Sequence, residues 1–130
     1  MKSRDTLLRA RQFEVEAKSK KLGDLEAMIG EFKRMALDLE QQIEAEHVRT
    51  GIRDVNHFAY PPFAKAARLR RDNLMASVDD LTGKLDGARE EVERAREDLR
   101  RAELMDEVSE DRGRKQRPGA RVFRPASKSA

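Results

Sequence analysis

Residues 22–43, LGDLEAMIGEFKRMALDLEQQI, decide the fold. Leu22, Ile29, Ala36 and Ile43 recur at every seventh position, and Leu25, Phe32 and Leu39 each follow three residues behind. That alternation sets all seven on one stripe of an α-helix with charged residues around it. Sustained heptads of this kind predict a helix zipped along a single seam. Working backward, Val15 and Leu8 continue the stripe; working forward, it resumes in Val78, Leu85, Val92 and Leu99, interleaved by Leu74, Leu81, Ala88, Ala95 and Ala102.

Between the two stripes the period lapses and Pro61 and Pro62 appear. Gly51 suits the residue after a helix C-terminus, and a proline is tolerated in a first turn but not in a helix interior. The spacing predicts helix one over about 6–49, a turn over about 50–61 and helix two over about 62–110. So short a connection forces the helices antiparallel, which makes residues 1–111 an all-α, two-helix antiparallel coiled-coil hairpin about 65–70 Å long at 1.5 Å per residue. Gly23, Gly30, Gly83 and Gly87 fall outside the seam and soften the helices without notching their contact face.

The register can be tested by matching seam residues. Pairs whose numbers add to 117 join Ile43 to Leu74, Leu39 to Val78, Phe32 to Leu85 and Leu25 to Val92, and oppose large to small at Ala36–Leu81 and Ile29–Ala88. Glu46 then faces Arg71 and Arg11 faces Asp106, whereas a slip to 110 sets Glu46 against Ala64 and Arg11 against Leu99. An unpaired charge in a seam is unfavourable, and the expectation is 117.

Of 130 residues, 41% are charged and 38% hydrophobic, enough for one domain. The net charge of +3 conceals a division. After Asp111 there are seven basic residues and no acidic one, while the preceding 111 residues carry a net charge of −4. Residues 112–130 contain Pro118, Gly119 and Pro125 without period, and are expected to form a disordered basic tail. Cysteine is absent, so neither a disulfide framework nor a thiolate metal site is available. No apolar run approaches the ~20 residues of a membrane span, and a soluble, cytoplasmic protein is expected.

Catalytic signals are lacking. His47 and His57 lie in or beside the turn with no nucleophile or carboxylate cluster arranged about them, and no glycines form a phosphate-binding loop. The expectation is a protein that is not an enzyme, with no cofactor and no metal. The turn holds three of the six aromatics: Phe58, Tyr60 and Phe63. They suit either a plug for the end of the seam, packed on Ile43, Val48, Ala66 or Ala67, or an exposed docking knob. Lys65, Arg68 and Arg70 add three cations beside them. The run at 112–119 sets Arg beside Gly but has no interleaved aromatics, which argues against specific nucleic-acid reading and leaves only salt-sensitive attraction to polyanions.

Residues 1–15, MKSRDTLLRARQFEV, and 57–74, HFAYPPFAKAARLRRDNL, resemble the FliJ-type flagellar export proteins of alphaproteobacteria, and the resemblance extends over roughly residues 1–108. It implies a coiled-coil stalk in flagellum biogenesis, within the cytoplasmic part of the type III protein secretion apparatus that serves motility. The implied partners are the flagellar export ATPase ring, the cytoplasmic domain of the export gate membrane protein and substrate chaperones. The implied location is the cytoplasmic face of the inner membrane, reached only through those partners. By position and chemistry Arg9, Arg11, Phe13, Lys18 and Arg101 are candidates for the ATPase side, and Phe58, Tyr60, Phe63 and Arg68 for the gate side. The alternative is a generic coiled-coil scaffold tethered to nucleic acid or membrane by its basic tail, which deletion of residues 112–130 would release.

Overall fold

A computed structural model describes residues 2–116, and the side chains of residues 3–113. The described residues are all-α: α1 runs Lys2–Thr50 and α2 runs Pro62–Gln116. Helix α1 starts four residues earlier than its expected bound and ends one later. Helix α2 passes the expected end near 110, because nothing before Pro118 removes a backbone donor and the lone Gly113 costs only about 1 kcal/mol. Residues 112–116, expected to belong to the disordered tail, are therefore helical. The rest of that tail, 117–130, lies outside the described residues.

The chain divides into two compact units: one formed by the described parts of Met1–Lys18 and Val92–Ala130, the other by Ser19–Glu91. The second is an antiparallel helical hairpin closed by the turn. Ile29, Ala36, Ile43, Val78, Leu85 and Ala88 are buried in it, and Leu22, Leu25, Phe32, Leu39, Leu74 and Leu81 are half-buried. Every seam position read from the heptads in this unit is shielded from water, at roughly 25 cal/mol per Å² of apolar surface removed. Lys21–Glu91 and Glu26–Arg89, each at 3.9 Å, flank the seam as exposed ion pairs of small energetic weight. In the first unit Val92 and Ala95 are buried, and Leu8, Val15, Leu99 and Ala102 are half-buried.

The core cluster gathers Leu22, Leu25, Ile29 and Phe32 from α1 with Val78, Leu81 and Leu85 from α2. The cross-helix ion pairs Lys21–Glu91 and Glu26–Arg89 have numbers that add to 112 and 115, between 110 and 117. The charges invoked for 117 find partners on their own helices. Glu46 receives two hydrogen bonds from Arg49 one turn along its own helix, at 2.7 and 3.0 Å, and Arg71 donates to the adjacent Asp72 at 3.0 and 3.1 Å. Arg11 likewise pairs with Glu14 at 3.5 Å. With each of these charges paired on its own helix, no cross-seam partner is required.

Candidate docking site at the turn

The turn is built by local hydrogen bonds. Gly51, at φ 72°, takes the left-handed conformation that glycine adopts without strain, and its N–H donates to the His47 carbonyl at 2.8 Å. The Thr50 hydroxyl donates to the Glu46 carbonyl and accepts from the Ile52 N–H. Asp54 then caps a short turn: its carboxylate accepts the Asn56 N–H at 3.0 Å and its carbonyl accepts the His57 N–H at 3.1 Å. His57 accepts the Ala59 N–H on Nδ1 at 3.0 Å, which puts the proton of the neutral ring on Nε2, and its carbonyl accepts the Tyr60 N–H. The Pro61 carbonyl accepts the Lys65 N–H and opens α2.

Two side-chain ties fasten this segment to α1. Arg53 donates two bonds of 2.8 Å to the Glu44 carboxylate, a bidentate pairing that holds the carboxyl below its usual range. Deeper in, the Tyr60 hydroxyl lies 2.7 Å from His47 Nε2, with both side chains buried and the rings tilted 60° at 5.5 Å. His47 Nδ1 is 4.0 Å from Glu44, so Tyr60, His47, Glu44 and Arg53 form one connected polar chain. Ala64 and Ala67, at the start of α2, are fully or nearly fully buried.

The aromatics of the turn thus divide. Tyr60 is buried and serves as the plug, whereas Phe58 is 96% exposed and stacks on the His57 ring at 4.7 Å. Phe63 is 55% exposed. Of the expected packing partners, Ile43 and Ala67 are buried while Val48 and Ala66 face water. Arg68 is half-buried and, with Lys65, lines an open groove of about 600 Å³ whose apolar wall includes Val55, Ala66 and Leu69. Phe58, Phe63 and Arg68 therefore share one end of the hairpin in the second unit with Tyr60, which lines the groove beside Arg68.

The residues expected on the ATPase side all belong to the first unit. Phe13 is 71% exposed and Arg9 is exposed. Arg101, also exposed, pairs with Glu97 at 3.5 Å; Arg11 and Lys18 are half-buried. His47 was not among the expected site residues. Its position four residues beyond Ile43, on the flank of the stripe, was the available signal.

Among the described residues no group of His, Cys, Asp or Glu is arranged to hold a metal ion, and no helix is long and apolar enough to cross a membrane. Structurally, the chain belongs to the class of coiled-coil-like helical hairpins that present a structured turn. Neither a protein-family model, nor a curated protein, nor a solved structure matches it.

Proposed function

We propose that this chain is a non-catalytic component of a flagellar type III protein export apparatus, a FliJ-type coiled-coil stalk. In this reading it binds the export ATPase ring through the first unit, with Arg9, Arg11, Phe13, Lys18 and Arg101 as the contact residues. The turn of the second unit meets the cytoplasmic domain of the export gate through Phe58, Phe63 and Arg68. The mechanism is binding and conformational coupling; the ATPase hydrolyses the nucleotide and this chain biases ring assembly. Substrate chaperones are the third class of partner, and the protein reaches the inner membrane only through these contacts.

One observation carries the docking part of the reading: a phenylalanine 96% exposed on a turn whose backbone is hydrogen-bonded on either side of it, at His57, Ala59 and Tyr60. Holding an apolar ring in water costs solvation free energy, and a preformed turn removes the ordering cost of binding. The particular partners rest on the resemblance of residues 1–15 and 57–74. The test is export-ATPase hydrolysis and ring assembly with increasing amounts of the purified chain, beside the Phe13→Ala/Lys18→Glu variant. Stimulation that saturates below one chain per ATPase subunit, and weakens in the variant, supports the stalk. Absence of both binding and stimulation rejects it.

A further inference from the structure

Two apolar patches of opposite charge remain without a partner. The first is the groove at the turn, lined by Lys65, Arg68, the exposed Val55 and Leu69, and Asp72, which Arg71 pairs; neither Lys65 nor Arg68 makes an ion pair with any described residue. Leu69 is 64% exposed, a large apolar side chain beside two unneutralised cations. The second is the stretch 103–110 of α2, ELMDEVSE, where Leu104, Met105 and Val108 are exposed. Leu104 and Val108 are one turn apart and lie on the same face of the helix. Glu103, Asp106, Glu107 and Glu110 flank them, contain no basic residue in their midst, and form no ion pair with any described residue.

We propose that these two patches recognise each other between copies of the chain: the acidic, leucine-bearing stretch 103–110 of one copy docks on the basic, apolar groove at the turn of another. The occupant is argued from charge complementarity. Each surface is apolar at its centre and carries an excess of one charge. Asp72 also lines the groove but is paired with Arg71, and Arg100 borders Leu104 but is paired with Glu97. In such an arrangement apolar contact supplies affinity and rim charges supply orientation and encounter rate. One helical face against one groove is a small contact, which places the association in the weak, transient class. The two patches are different surfaces, so copies either pair reciprocally about a two-fold or add in succession. A second copy on the groove would also cover the surface assigned above to the gate-side partner, so self-association and that docking would compete. The inference itself requires no particular partner.

The test is a charge swap read by sedimentation equilibrium on the full chain. The wild-type weight-average mass is expected to rise above the monomer's 14.9 kDa as concentration increases from micromolar toward millimolar. It is expected to fall back as ionic strength is raised from about 0.01 M to about 1 M, because the Debye length shrinks from about 30 Å to about 3 Å. A groove-reversed chain, Lys65→Glu/Arg68→Glu, and a stretch-reversed chain, Glu103→Lys/Glu107→Lys, should each remain monomeric, since each then opposes like charges. All four positions are at the surface, and circular dichroism checks that helicity is retained. Mixing the two variants restores complementary surfaces and should restore association. A wild-type chain that stays monomeric throughout overturns the proposal. So does a groove-reversed chain that still self-associates, which would make the basic C-terminal stretch the acceptor, or a mixture no more associated than its components.

Discussion

Removing the hydroxyl of Tyr60 isolates the tie that closes the seam. In Tyr60→Phe the ring is kept, but His47 Nε2 loses its partner at 2.7 Å while staying buried at 9% exposure. Leaving one buried polar group unsatisfied costs about 1–3 kcal/mol, whereas replacing both partners by apolar groups of similar shape is close to neutral. The expected order is therefore unusual: Tyr60→Phe is less stable than wild type by about 1–3 kcal/mol, and the Tyr60→Phe/His47→Leu double variant recovers most of that loss. Urea unfolding followed by circular dichroism, run as a full double-mutant cycle, measures both terms. A Tyr60→Phe chain as stable as wild type would refute the reasoning, because it would mean that water reaches His47 as readily as the hydroxyl does. A double variant as unstable as the sum of the singles would refute it too, since the two side chains would then be uncoupled.

Two further outcomes follow from the same geometry. Gly51→Ala forces a Cβ into the left-handed region at φ 72° and should cost about 1–2 kcal/mol, while Gly23→Ala and Gly83→Ala, whose Cβ positions meet nothing within 4 Å, should each add about 1 kcal/mol; thermal unfolding of the three variants checks the opposite signs. The Arg53–Glu44 tie depresses the Glu44 carboxyl below its ordinary value of 4.5, so the tie contributes stability above that value and loses it as the pH falls through the lower folded midpoint. Carboxyl titration by NMR should show Glu44 with a midpoint below 4.5, moving back up in Arg53→Ala.

Much of this protein was legible from residue spacing. The heptads at Leu22, Ile29, Ala36 and Ile43, and at Val78, Leu85 and Val92, locate the buried stripe because helical geometry brings every seventh residue to the same face whatever lies opposite. Pro62 and Gly51 mark the turn by removing a donor and by permitting a positive φ, both properties of the single residue. The site was legible in part: the aromatics of the turn were evident, but which ring is buried was not.

What spacing left undecided was everything that depends on a choice between partners. Slipping one heptad keeps every apolar residue on the seam, so the pattern alone admits 110 and 117 equally. The charges that were to choose between them, Glu46, Arg71 and Arg11, find partners on their own helices instead. The same holds for Tyr60 and Phe58. The two residues are nearly interchangeable by composition and two positions apart, yet only the folded turn brings one of them within 2.7 Å of His47 and leaves the other in water. Periodicity is a property of one helix, and the sequence by itself determined it; register and burial are properties of two surfaces meeting, which exist only once the chain has folded.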